Sequence, residues 1–211
     1  MTKLLINIID YGVGNTHSIA HVLKYLGYSV RISDNHDEIK NADALILPGV
    51  GAFDVAVSNL RANGLEELLN ELVLVEKKPI LGICLGMQLM ATYSEEYGYH
   101  KGLDWIKGCV VKLETSPEFL VPHVGWNNIL PVQKEPLFSR ADSETNFYFD
   151  HSYYFKTDEP KDIAAYVNYS FDITAAVQKD NICGVQFHPE KSQNNGLKLF
   201  RSYINSIEQY A

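Results

Sequence analysis

A cysteine set between two glycines, Gly82-Ile83-Cys84-Leu85-Gly86, is the pattern in this sequence best suited to covalent chemistry. It has the G-x-nucleophile-x-G form of a nucleophile elbow, in which small flanking residues permit a tight turn that lifts the nucleophile to the head of a helix. A helix N-terminus favours the thiolate, and the backbone N–H of Leu85 can point at a developing oxyanion. The competing interpretation is a buried structural cysteine with coincidental glycines. Context weighs against it: Ile80 to Ile83 reads as a buried strand, and the residues after Cys84, through Met90, have helix-forming character.

A thiol nucleophile needs a base, and the chain has seven histidines. His17, His21, His36 and His100 lie in helical or polar surroundings and are expected to be solvated. His123, in Pro122-His123-Val124-Gly125-Trp126, and His151, in Asp150-His151-Ser152-Tyr153, are less easily set aside. His188 is the best candidate, because in Val185-Gln186-Phe187-His188-Pro189-Glu190 it ends an apolar strand. Pro189 keeps it extended, and Glu190, two residues on, can share its face. A carboxylate there would fix the imidazole tautomer and stabilise the imidazolium, so the set follows Cys-His-acid logic. The glycine-rich turns raise a rival phosphate-binding idea that their spacing rejects. A dinucleotide fingerprint after Gly12-Val13-Gly14 would need glycine where His17 stands, Gly49-Val50-Gly51 has Asp54 in the third place, and no GxxxxGK[ST] loop exists. Gly49-Val50-Gly51 can instead turn backbone N–H groups toward an oxygen beside Cys84.

The elements that must position these groups alternate strand and helix in the first half. Leu4 to Ile9, Ser29 to Ile32, Ala44 to Leu47 and Ile80 to Ile83 read as strands. Asn15 caps a helix carrying Ile19, Val22, Leu23 and Leu26, with Gly27 at its end, and Leu65, Leu68, Leu69, Leu72 and Val75 mark another helix that Pro79 stops. From about Gly108 the texture is β-rich: Cys109 to Leu113, Asn146 to Asp150, Ala164 to Asn168, Ala175 to Gln178 and Ile182 to Phe187. A last amphipathic helix spans Gly196 to Ile207. The expected fold is α/β: a mostly parallel central sheet flanked by helices, with antiparallel strands added in the C-terminal half. No linker or repeat breaks it, so a single domain over 1–211 is expected.

Composition excludes several classes. The 211 residues are 46% hydrophobic and 21% charged, with a formal net charge of −8 and no Lys/Arg cluster, which disfavours nucleic acid and anionic membrane surfaces. No apolar run approaches the roughly 20 residues that span a bilayer. Met1-Thr2-Lys3-Leu4-Leu5-Ile6-Asn7 leads directly into the first strand pattern, so a soluble, cytoplasmic protein is expected. The three cysteines, Cys84, Cys109 and Cys183, are odd in number and far apart, which argues against a disulfide framework and leaves no CxxC pair for zinc. No metal or cofactor is expected.

With these residues in view, the chain resembles the triad-type (class I) glutamine amidotransferases, which share the G-x-C-x-G elbow and a terminal His-Pro-Glu. Within that family it resembles the branch serving histidine biosynthesis, through Asp10-Tyr11-Gly12-Val13-Gly14-Asn15, Leu47-Pro48-Gly49-Val50-Gly51, Gly82 to Gln88, Pro122-His123-Val124-Gly125-Trp126-Asn127, His151-Ser152-Tyr153 and Gly184 to Ser192. The resemblance implies Cys84 as nucleophile, His188 as base and then acid, and Glu190 as the residue that orients it. It also implies oxyanion donors at Leu85 and within Val50-Gly51, and glutamine held by Gly49, Gln88, Glu96, Ser152 and Tyr153. The implied reaction is hydrolysis of the glutamine side-chain amide through a thioester, with ammonia passed through a tunnel to a (β/α)8-barrel cyclase subunit in a heterodimer. The same residues would suit a paralogous subunit feeding a related synthase, such as one assembling amidino sugars, or, further off, a cysteine hydrolase independent of glutamine. Asp150 departs from the pattern, standing where the branch leads one to expect an apolar residue before His151.

Overall fold

Strand and helix alternate along the first half because apolar residues switch between unbroken runs and helical spacing. The computed structural model of the chain describes residues 4–114, 119–141 and 145–210, so the expectation placed on Met1 to Lys3 lies outside the described residues. In chain order come β1 (Leu5–Ile9), α1 (Thr16–Tyr25), β2 (Ser29–Ser33), α2 (His36–Lys40), β3 (Ala44–Leu47), α3 (Phe53–Ala62), α4 (Leu65–Asn70), β4 (Ile80–Ile83) and α5 (Leu85–Gln88). Then follow β5 (Tyr93–Ser94), β6 (His100–Lys101), β7 (Gly108–Lys112), β8 (His123–Pro131), β9 (Asn146–His151), β10 (Tyr153–Thr157), β11 (Ile163–Tyr169), β12 (Phe171–Lys179), β13 (Ile182–Val185) and α6 (Gln193–Tyr210).

Nine strands form one sheet in the order β2-β1-β3-β4-β13-β12-β11-β8-β9. The first five are mutually parallel, and β12 onward is antiparallel. Because side chains alternate between faces along a strand, β1, β3, β4 and β13 each feed two cores, while the edge strand β2 adds Val30 and Ile32 to one. Ile6, Ile8, Ile46, Leu81 and Val185 pack with Ile19 and Leu23 of α1 and with Phe200 and Ile204 of α6. Ile9, Leu45, Leu47 and Ile80 pack on the other face with Phe53 and Leu60 of α3 and Leu65 and Leu69 of α4. Asn15 caps α1 as expected, its side chain accepting from the Ser18 N–H at 3.4 Å. Among the described residues no helix is long and apolar enough to cross a membrane.

The structure corrects the sequence reading in several places. The run Cys109 to Leu113 does not extend the main sheet: as β7 it joins a separate four-stranded sheet, β10-β7-β5-β6. The strands β8 and β10 and the helix α3 were not anticipated. The start of α3 lacks a side-chain cap on Ala52, the usual signal, and the Phe53 N–H donates instead to a Glu96 carboxylate oxygen at 2.9 Å, a partner distant in sequence. The helix expected from Leu65 to Val75 changes character halfway, continuing past α4 as a π-helical turn over Glu71–Val75. The strand expected to reach Phe187 stops at Val185, and the last helix begins at Gln193.

Candidate active site

β3, β4 and β13 end side by side, so the segments that follow them, Pro48 to Gly51, Cys84 and Gln186 to His188, meet at the carboxyl edge of the parallel sheet. That edge is where open α/β sheets place their chemistry. Cys84 sits at φ 54°, ψ −112°, a left-handed conformation that costs a non-glycine residue on the order of 1–3 kcal/mol. Its N–H donates to the Val185 carbonyl at 2.8 Å, which pins the turn to β13. The flanking glycines are needed for close approach: a Cβ on Gly86 would lie 1.8 Å from the Leu47 oxygen, and one on Gly82 would lie 2.8 Å from the Gly86 backbone. α5 after the elbow is a single short turn, much less helix than the sequence suggested.

His188 is extended, φ −104° and ψ 94°, as the following proline demands. Its N–H donates to the Tyr148 carbonyl at 2.9 Å, and the Ser192 hydroxyl donates to its carbonyl at 2.6 Å while accepting the Tyr148 N–H at 3.0 Å. The turn Pro189–Lys191 is thereby held against β9. His188 Nδ1 lies 2.9 Å from Glu190 Oε1, with both side chains almost wholly buried. Burial by itself would lower the imidazole pKa. Hydrogen bonds and negative charge from Cys84 and Glu190 outweigh it and raise the pKa to about 10. The arrangement favours an imidazolium at His188 beside Cys84, a cationic partner of the kind that activates a cysteine nucleophile.

A cavity of about 300 Å³ opens beside Cys84 and His188 and is lined also by Val50, Gly51, Leu85, Gln88, Glu96, Ser152 and Tyr153, all picked out from the sequence. Asp150, exposed, and buried His151 complete one wall with Pro122. Burial raises the pKa of Glu96. Two expected positions lie elsewhere: Glu190 sits behind His188, and Gly49 packs under the elbow rather than lining the cavity. A Cβ on Gly49 would come within 2.8 Å of Gly86 N and Leu85 Cβ. The Leu85 N–H, read as an oxyanion donor, is directed in this structure to the Gly49 carbonyl at 3.3 Å.

A larger hollow, about 610 Å³, opens at the opposite edge of the sheet between Asp43, Pro79, Asn181 and Cys183. It offers no activated group, since burial pushes the Cys183 thiol up to about 12. The chemistry therefore belongs to the smaller cavity.

Sequence reasoning passed over Tyr11 and Gln186 near the nucleophile, and weighed His151 only as a base ranked behind His188. Buried Tyr11 holds the Pro48 carbonyl from its hydroxyl at 2.6 Å, and its phenol pKa is raised by burial and by the charge of Cys84. Gln186, fully buried, donates from Nε2 to Cys84 Sγ at 3.8 Å. His151 pairs with His123, Nε2 to Nδ1 at 3.0 Å. Each stood inside a quoted motif, but only long-range contacts give it a partner. Of the histidines set aside, His17, His21 and His36 are exposed, whereas His100 is half-buried in β6.

A thiol on a strand-to-helix elbow, backed by a buried His-Glu pair, at the carboxyl edge of a sheet sandwiched by helices defines a class. The glutamine amidotransferase class-I family matches residues 7–205, and the chain belongs to that family. More particularly, it is 43% identical over 203 residues, 96% of this chain and 100% of the relative, to imidazole glycerol phosphate synthase subunit HisH 2 of Pseudomonas aeruginosa. It is 41% identical over 204 residues, 95% of this chain and 100% of the relative, to subunit HisH of Leptospira interrogans. Among solved structures, PurLQS from Thermotoga maritima has the same fold at TM-score 0.73 and 16% identity, covering 98% of this chain and 100% of that one.

Proposed function

We propose that the chain, acting as a single domain, is the glutaminase subunit of an imidazole glycerol phosphate synthase. The observation that carries the reading is the strained Cys84 elbow, its nucleophile coupled to the buried His188–Glu190 pair, opening on a cavity lined by Gln88, Glu96, Ser152 and Tyr153. The Cys84 thiolate attacks the side-chain carbonyl carbon of glutamine, and the charge that develops on oxygen is met by backbone N–H groups of Leu85 and of Val50 or Gly51. Protonated His188 gives its proton to the departing nitrogen as the C–N bond breaks, leaving a thioester and ammonia. His188, now neutral, takes a proton from water as the water attacks the thioester, and glutamate leaves. Glu190 holds the imidazole in the tautomer both steps need. Glu96, Ser152 and Tyr153 hold the α-amino and carboxylate end of the substrate, with Gly49 supporting the elbow beneath.

The engagement of the Leu85 N–H by the Gly49 carbonyl makes this an idle state. The peptide between Gly49 and Gly51 must turn before the oxyanion is stabilised, and Gly51, at φ +104° with open space where a Cβ would be, permits the turn. One missing oxyanion donor typically costs ~10²–10³ in rate. A partner that turns this segment would therefore switch on hydrolysis only when ammonia can be used.

The partner is a (β/α)8-barrel cyclase subunit that receives the ammonia in the cytoplasm. What supports a dock close to the cavity is the outer face of β8, where alternate residues Val124, Trp126 and Leu130 expose apolar surface next to the cavity wall. Asp150 on β9 pairs in register with Val124, at the rim of both, and suits a cation on the partner. Glutamine hydrolysis measured with the chain alone and with the barrel subunit tests the reading. Strong stimulation by the partner with its acceptor bound is expected; full activity of the free chain at saturating glutamine would contradict it.

A further inference from the structure

We propose that Tyr11 is a positioning residue for the oxyanion segment, holding the Pro48 carbonyl so that the turn which activates the site is confined to the peptides between Gly49 and Gly51; this rests on the glutaminase reading above. Tyr11 is fully buried between the end of β1 and the start of α1, in the same core cluster as Leu47, Phe53 and Leu85. Its hydroxyl lies 2.6 Å from the Pro48 oxygen, and because a carbonyl can only accept, the hydroxyl is the donor. Burial pushes the phenol pKa well above its ordinary 10, so that donor keeps its proton in neutral and alkaline solution alike. The backbone of Tyr11 is fixed in turn from α3, where Asn59 Nδ2 donates to the Tyr11 carbonyl at 3.0 Å.

Pro48 is crowded on both flanks as well. A Cβ on Gly14 would lie 3.1 Å from Pro48 Cβ, and one on Gly86 would lie 3.3 Å from the Pro48 carbonyl carbon. At the other end of the segment the Phe53 N–H is held by the Glu96 carboxylate at 2.9 Å. Between these two anchors the chain is loose: Val50 and Gly51 are exposed, and Gly51 has open space where a Cβ would be.

One rotation in that loose stretch does two things. The Gly49 carbonyl, which now takes the Leu85 N–H at 3.3 Å, and the Val50 N–H belong to the same peptide. Turning that peptide releases Leu85 and carries the Val50 N–H round to the side the carbonyl left, so two oxyanion donors become available together. Donors stabilise a developing charge only if they are already in place when it forms. The hydroxyl of Tyr11 supplies the fixed point: without it the Pro48–Gly49 peptide can rotate too, the movement is shared between two peptides, and the Val50 N–H arrives off position. Tyr11 acts on the reaction through this backbone and not through contact with glutamine, since it is absent from the cavity wall.

The test measures glutamine hydrolysis by full-length wild type and Tyr11→Phe, each alone and saturated with the barrel cyclase subunit and its acceptor. Tyr11→Phe removes one oxygen and should lower the ratio of stimulated to unstimulated rate about tenfold, the worth of one well-placed hydrogen bond. That loss should fall on the kcat of the complex, with KM for glutamine within about threefold of wild type, because substrate binding does not use the pivot. A purely structural loss would lower both rates in the same proportion through the folded fraction. A Tyr11→Phe protein with wild-type thermal unfolding and an unchanged ratio would therefore overturn the proposal, as would a change carried by KM. If that variant does not fold, Asn59→Ala, which loosens the backbone of Tyr11, should lower the same ratio, and an unchanged ratio there would overturn it too. A wild type that the barrel subunit does not stimulate would instead overturn the reading of a switched glutaminase subunit, and this proposal with it.

Discussion

Cys84 and Glu190 flank one imidazole, and their joint effect can be read apart from catalysis. The pKa of His188 is depressed by burial and then raised past its ordinary 6.5 to about 10 by its two partners. A group whose pKa is higher folded than unfolded binds protons preferentially in the native state, so its stabilisation is complete below pH 6.5 and is lost as pH rises toward 10. Replacing Glu190 by Gln should therefore destabilise most near pH 6, with the penalty shrinking steadily on the alkaline side. Thermal unfolding of both proteins from pH 6 to 10 measures this. A penalty that grew with pH would contradict a protonated His188. The triad itself was legible in the sequence, because Cys84, His188 and Glu190 each carry a local signal: flanking glycines, a strand end, a neighbouring proline. Gln186 carries none, since a glutamine in an apolar run looks the same whether it touches sulfur or merely fills space, and His151 was weighed as a base without its pairing to His123 being visible.

At the scale of elements, the elbow depends on helix α5 and strand β3 approaching more closely than side chains allow. Gly86 is the contact point, with its missing Cβ 1.8 Å from the Leu47 oxygen. Gly86→Ala cannot be absorbed by rotating a side chain, because the obstacle is backbone. A loss of about 3 kcal/mol or more is expected, seen as a fall in the denaturant midpoint, together with loss of activity. A midpoint unchanged from wild type would mean that β3 and α5 are not locked together as described. The parallel half of the sheet was readable because β1, β3, β4 and β13 are buried on both faces and appear as apolar runs, broken in β1 only by buried Asn7. The second sheet was not, since β5 and β6 are two residues each and hold their places only through pairing with β7 and with each other. β8 was hidden by its composition. Its outer residues Val124, Trp126 and Leu130 are apolar and exposed, so the polar alternation that marks a half-buried strand is missing.

The proposed function assigns the molecule two faces at one end: the cavity beside Cys84 for glutamine and, next to it, the apolar ribbon of β8 joined to β9 for the partner. Trp126 lies in that ribbon, edge-on to Tyr148 at 6.1 Å and half exposed in the free chain. Large aromatics in such positions commonly carry much of the binding energy, so Trp126→Ala should weaken barrel-subunit affinity by about 2 kcal/mol, some thirtyfold, while leaving unstimulated glutamine hydrolysis as it was. Titration calorimetry with the barrel subunit, run beside a glutaminase assay, separates the two effects, and an unchanged affinity would remove this face from the dock. The central claim concerns what the whole assembly does with Cys84. Its most direct test is ammonia release from glutamine by wild type and Cys84→Ala, each saturated with the barrel subunit and its acceptor. The account predicts a fall of about 10³-fold or more with the complex still formed, because the nucleophile of a cooperating triad cannot be replaced by its remaining members. Turnover of glutamine by Cys84→Ala near the wild-type rate would contradict it.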